Sequence, residues 1–162
     1  MRKTTHWALL FPLIVVACSS TTSSAAKTTS TTAAAVTTTS SASSGAAQEM
    51  NLSLTEWTIE GPKTIKAGAI TFNVTNKGTL KHELVIARGD SYAALPQEKN
   101  GHILEDAIAE SDKPGEVGDV LAGETKSATI NLKPGRYVLF CNLVVGSLSH
   151  AAKGQILELT VG

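Results

Sequence analysis

Cysteine is nearly absent from this chain, with only Cys18 and Cys141 among its 162 residues. That count excludes a disulfide-stapled framework, so stability must come from a packed core. Charge of one sign is lacking too, since 14 Lys and Arg balance 14 Asp and Glu. There is no basic cluster and no aromatic ladder, aromatics being 4% of residues. Nucleic acid is therefore not an expected partner, and neither is long-range steering of a charged one. No apolar run reaches the roughly 20 residues of a membrane-spanning helix. A phosphate-cradling glycine loop and a nucleophile paired with a base are both missing. Neither enzymatic activity nor a small-molecule substrate is expected.

What is present begins with an address. Arg2 and Lys3 precede the apolar stretch 7–16 and then Ala17-Cys18. Residues 1–17 read as a cleaved export signal, too short to span a bilayer. Val15-Val16-Ala17-Cys18 resembles the bacterial lipobox, in which the cysteine is lipidated and becomes the mature N-terminus. An ordinary signal with an incidental cysteine is the plainer alternative. The lipobox reading implies an extracytoplasmic protein, periplasmic or at the cell surface, lipid-anchored to a membrane through Cys18. Residues 18–49 follow as a flexible stalk of almost pure Ser, Thr and Ala. Such a segment has no apolar face to bury and cannot offset the entropy of ordering. As a coil it spans roughly 30 Å.

Residues 50–162 suffice for one domain, not two. Alternation of apolar and polar residues over 52–55, 70–75, 128–132 and 156–161 predicts half-buried strands. The continuous apolar runs 84–87 and 137–140 predict central strands buried on both faces. Turn residues separate them, at Gly61-Pro62, Ala67-Gly68, Asn76-Lys77-Gly78, Ala122-Gly123 and Lys133-Pro134-Gly135. The pattern predicts an all-β fold, an antiparallel Greek-key β-sandwich. Between residues 91 and 118 lies a polar insertion, in which 103–109 offers one or two helical turns.

Cys141 remains without a partner in a compartment where free thiols are oxidised unless buried or metal-bound. It follows the apolar run 137–140, with His150 nine residues on and Gln155 five beyond that. His82 opens the run that continues Leu84-Val85-Ile86. One thiolate, two imidazoles and a weak oxygen donor form the ligand set of a mononuclear copper electron-transfer site. The plain alternative keeps Cys141 as a small core hydrophobe and each His as a satisfied structural residue. His102, in the polar insertion, reads as a loop residue or a spare ligand. Glu105, Asp106 and Glu110 read as a solvated face.

These residues resemble the cupredoxins, the blue copper proteins. Asn76-Lys77-Gly78 through His82-Glu83-Leu84-Val85 is similar to the family's strand bearing the first His ligand. Leu132-Lys133-Pro134-Gly135-Arg136-Tyr137-Val138-Leu139-Phe140-Cys141 is similar to the approach to its Cys ligand. Glu56-Trp57 and Leu159-Thr160-Val161 fit the first and last strands. The resemblance implies metal ligands His82, Cys141 and His150, with Gln155 in the axial place and Glu83 as the other candidate axial donor. Axial Gln resembles the stellacyanin branch, where an amide oxygen favours Cu(II) and lowers the potential relative to a thioether. It also implies that an exposed edge of His150 passes the electron.

The expected function is a membrane-tethered, extracytoplasmic copper protein that moves single electrons between redox partners. The partner would be a redox protein of the membrane or periplasm. Copper delivery or sequestration, and a metal-free β-sandwich binding module, are the alternatives.

Overall fold

Alternating burial places each expected strand in the computed structural model, which describes residues 46–162. The elements are β1 (Gln48–Thr55), β2 (Thr58–Glu60), β3 (Thr64–Ile65), β4 (Gly68–Asn76), β5 (His82–Arg88), β6 (Gly115–Val120), β7 (Thr125–Leu132), β8 (Gly135–Phe140), β9 (Val144–Val145), β10 (Leu148–Ser149) and β11 (Ile156–Val161). The export signal, Cys18 and most of the expected stalk lie outside the described residues. Strand pairing begins at Gln48 and Glu49, which sit opposite Ile70 and Thr71. No helix among the described residues is long and apolar enough to cross a membrane.

The strands form one sheet in the order β2-β1-β4-β7 and another in the order β3-β11-β8-β5-β6, with β9-β10 as a separate ribbon. This is the expected β-sandwich, but its sheets are mixed rather than purely antiparallel. β1 runs parallel to β4, and β11 runs parallel to β3. The chain crosses from β2 in the first sheet to β3 in the second before returning as β4. Only such a crossover can make neighbours parallel; a tight hairpin cannot.

Met50, Leu52 and Leu54 on β1 and Ile70, Phe72 and Val74 on β4 meet Leu84, Ile86, Leu139, Leu157 and Leu159 across the sandwich. Each such side chain contributes about 1.5–3 kcal/mol by leaving water. A second cluster lies on the outer face of the five-stranded sheet. There Val85, Ala87, Val138 and Phe140 pack beneath Leu95 and Ile103 of the β5–β6 insertion. β5 and β8 are therefore buried on both faces, as their continuous apolar runs predict.

The insertion holds its expected helical turn, at Glu105–Ala107, and departs from expectation only at its end. Its helical content is three single 3-10 turns, Tyr92–Ala94, Glu105–Ala107 and Glu110–Asp112, none with a buried residue. Too few apolar positions recur at helical spacing to bury a longer helix. Its last residues form β6, which buries only Val117 and Val120 and so gives little alternation to read. Register between β5 and β6 slips between His82 and Leu84, which face Val120 and Val117. The extra residue on β6 is a bulge, and Asp119 within it takes φ 50°.

Candidate metal centre

Strand parity decides which side chains meet. Along β5, Leu84 and Ile86 face the core between the sheets while Val85 and Ala87 face the insertion. His82 therefore points inward and Glu83 outward. Along β8, Tyr137 and Leu139 point inward, which carries Cys141 inward and Asn142 outward. Along β11, Leu157, Leu159 and Val161 point inward, and Gln155 shares their parity. Since β11, β8 and β5 are consecutive neighbours, His82, Cys141 and Gln155 lie side by side at one end of the sandwich.

His150 arrives by a loop. The β9–β10 ribbon turns at Gly146, φ 68°, and folds the chain back on itself. The His150 amide donates to the Leu143 carbonyl at 2.7 Å and that of Ala151 to the Cys141 carbonyl at 2.9 Å. The nine-residue separation from Cys141 is thereby closed in space.

The donor atoms of His82, Cys141 and His150 all lie within 4.8 Å of one another, and all three residues are buried. His82 Nδ1 is 3.2 Å from His150 Nδ1, Cys141 Sγ is 3.3 Å from His150 Nδ1, and Sγ is 4.0 Å from His82 Nδ1. Donors around one metal stand about 3.3–3.8 Å apart when bonds are about 2.0 Å to nitrogen and 2.3 Å to sulfur. The three separations bracket that range. Gln155 Nε2 donates to the Thr55 carbonyl at 2.7 Å. Gln155 Oε1 has no hydrogen-bond partner although buried; it lies close enough to both imidazoles to favour their protonated forms. His82 Nε2 is likewise buried without a partner. Unpartnered buried polar atoms are costly in a core that serves packing alone. Here two of them border a cluster of soft and borderline donors, and the set fits a copper or zinc ion.

Burial pushes the Cys141 thiol up to about 11. Burial also lowers His82, aided by His150 beside it, and lowers His150. Without a cation, the cluster at neutral pH is therefore a thiol and two neutral rings. A metal ion would have to displace the thiol proton, as such ligands require.

Several sequence expectations meet corrections here. Glu83 cannot be the axial donor, because its parity turns it to the outer face, where Oε1 accepts from the Asn142 amide at 3.0 Å. His102 is the loop residue that was expected, lining a separate surface hollow with Asp106 and Lys113, and only its role as a spare ligand falls, since His150 reaches the cluster. Glu105 is not merely solvated: it accepts from Asn142 Nδ2 at 2.9 Å and pairs with Lys113 at 3.3 Å. The edge of His150 is not openly exposed either; the residue retains 3% of its surface.

Two residues at the site escaped sequence reasoning. Trp57, in the turn between β1 and β2, packs edge-on to His150 with ring centroids 5.1 Å apart. Glu56 accepts from the amides of Thr79 and Leu80, ordering the loop that leads into His82, and lies 3.9 Å from His82 Nε2. Those backbone bonds hold its carboxyl down at about 2. Their adjacency in sequence is a turn signal, but nothing local reveals that the turn abuts residues 79–82 and 150.

No protein-family model matches the sequence, and no curated protein matches it. Solved structures of cupredoxins share its fold. Dithionite-reduced auracyanin from the photosynthetic bacterium Roseiflexus castenholzii is 21% identical, with a TM-score of 0.54 over 73% of this chain and 99% of that one. Rusticyanin from Thiobacillus ferrooxidans is 17% identical, with a TM-score of 0.53 over 74% of this chain and 79% of that one. A methionine-to-glutamine variant of rusticyanin is 19% identical, with a TM-score of 0.53 over 74% of this chain and 80% of that one. At these identities the likeness is one of fold.

Proposed function

We propose that this protein is a mononuclear copper protein that passes single electrons, with His82, Cys141 and His150 as its strong ligands and Gln155 as a weak fourth. The observation that carries this reading is the convergence of two Nδ1 atoms and one Sγ at a buried sheet end. Copper, when bound, supplies a one-electron couple between Cu(I) and Cu(II). The chain supplies rigidity. Cys141 is held by its amide to the Gln155 carbonyl at 3.2 Å, and His150 by its amide to Leu143. Ligands so fixed move little when the charge at the site changes. Gln155 offers an amide oxygen where a thioether would favour the reduced state, so a low potential follows.

Burial of all four residues, from 0% to 3% exposed, suits retention of a metal better than its delivery. In the metal-free alternative, Gln155 Oε1 would stay unsatisfied. The attachment belongs to the same proposal: residues 1–17 as export signal, Cys18 as lipid anchor, 18–49 as stalk and 50–162 as the copper domain. β1 runs from Gln48 to Thr55, and Thr55 bonds Gln155 at the site. A strand of that length is about 26 Å. The partner in this proposal is a redox protein of the membrane or periplasm.

Visible and EPR spectra of the copper-loaded, oxidised full chain test the reading. The expected result is an intense thiolate-to-copper band, one copper per chain, abolished by Cys141→Ser. A colourless protein that takes up no copper overturns it.

A further inference from the structure

The segment between β5 and β6 does more than cover the outer face of the sheet. We infer that it clamps both ends of the Cys141–His150 loop, which makes Asn142, Ser149 and Gly101 positioning residues for the candidate ligands. The purpose of such a clamp rests on the copper reading; its contacts do not.

At the Cys141 end, the parity that turns the thiol inward turns Asn142 toward the insertion. Asn142 is 4% exposed, and its amide is fully engaged. Its Oδ1 accepts from the Ile103 amide at 2.7 Å, and its Nδ2 donates to the Ile103 carbonyl at 3.0 Å and to Glu105 Oε1 at 2.9 Å. The side chain thus pairs with Ile103 as a neighbouring strand would. Ile103 is itself fully buried, in the cluster that holds Phe140 and Ala151. The Asn142 amide is held from the other side by Glu83.

At the His150 end, Ser149 is fully buried. Its amide donates to the Asn100 carbonyl at 3.1 Å, its hydroxyl donates to the Gly101 carbonyl at 2.7 Å, and the same oxygen accepts from the Ala152 amide at 3.0 Å. Gly101 makes this approach possible. Its φ is +76°, and a Cβ there would meet the Ala152 Cβ at 2.5 Å and the Tyr92 hydroxyl at 2.6 Å. Any side chain would both strain the backbone and push the insertion away from the loop.

Residues 100–105 therefore grip the positions just inside each candidate ligand, Asn142 after Cys141 and Ser149 before His150. The spacing of Sγ from Nδ1 is set by protein contacts that exist without a metal. A pre-arranged donor set loses less freedom on binding and lets go less readily.

Amide hydrogen exchange on the metal-free full chain tests the clamp, comparing wild type with Gly101→Ala, Asn142→Ala and Ser149→Ala. The amides of Ser149, His150 and Ala151 should exchange roughly ten- to hundredfold faster in the variants. Those of Ile86 and Leu139 in the sheet should keep their rates, and Asp106→Ala, on the exposed side of the insertion, should change nothing. The loaded variants should release copper about tenfold faster than wild type, the equivalent of one lost hydrogen bond. Unchanged loop exchange, or equal acceleration in loop and sheet, overturns the clamp. Should Gly101→Ala fail to fold, the Asn142 and Ser149 variants decide. If wild type binds no copper, the copper reading falls while the exchange pattern still decides the clamp.

Discussion

The indole of Trp57 stands edge-on to the imidazole of His150, with ring centroids 5.1 Å apart and planes at 82°. Trp57 reaches this position from a turn residue with φ 70°, and the Lys153 ammonium lies 4.7 Å from the centroid of its ring. The indole borders one side of an imidazole that also lines a surface hollow with Leu80, Lys81 and Leu143. Trp57→Ala should expose His150, and because burial is the leading cause of its lowered proton affinity, its pKa should rise toward the ordinary histidine value. NMR titration of the ring in the metal-free protein measures this directly. An unmoved titration would mean that other groups seal the site.

Copper uptake should be acid-sensitive through Cys141. The thiol sits at about 11, so it is protonated across the neutral range and must lose its proton to bind a metal. Apparent affinity should fall about tenfold for each pH unit lowered from 8 to 7, with about one proton released per copper from this group. Calorimetry in buffers of different ionisation enthalpy counts that proton. Zero release at pH 7 would place the metal elsewhere.

Glu56 links stability to acid. Its folded pKa, about 2, lies below the ordinary 4.5, chiefly because the Leu80 and Thr79 amides donate to it. The stabilisation is fully present above pH 4.5 and is lost as pH falls toward 2. Glu56→Gln should therefore lower the urea midpoint at pH 7, and the gap from wild type should close as pH drops from 4.5 to 2. A gap that persisted at pH 2 would show that shape, not charge, holds residues 77–81.

Gln155→Met should raise the copper potential, since a thioether favours Cu(I) more than an amide oxygen does. It should also cost about 1 kcal/mol in stability through loss of the bond to the Thr55 carbonyl. Voltammetry and urea unfolding read the two effects separately. A potential that does not move would remove Gln155 from the ligand set.

Most of the framework was legible because parity is local. Alternation over 52–55, 70–75, 128–132 and 156–161, and unbroken apolar runs at 84–87 and 137–140, each fall inside an observed strand. β2, β3, β6, β9 and β10 were not legible, being short, at an edge or bulged, with too few buried side chains to leave a period. Parallel pairing of β1 with β4 was hidden for another reason. Whether the chain stays in one sheet or crosses to the other is settled by packing, not by the residues of either strand.

The candidate site divides along the same line. Sequence alone offered a candidate donor set, because a chain with so few cysteines and histidines gives few combinations and the resemblance of the stretches around His82 and Cys141 singles one out. Only the tertiary structure decided that Glu83 turns outward while Gln155 turns in, that Trp57 packs edge-on to His150, and that residues 100–105 hold both ends of the loop. The type of a side chain is written in the chain, and so is its parity along a strand. What it meets depends on which strands become neighbours, and that choice is made by the whole core at once.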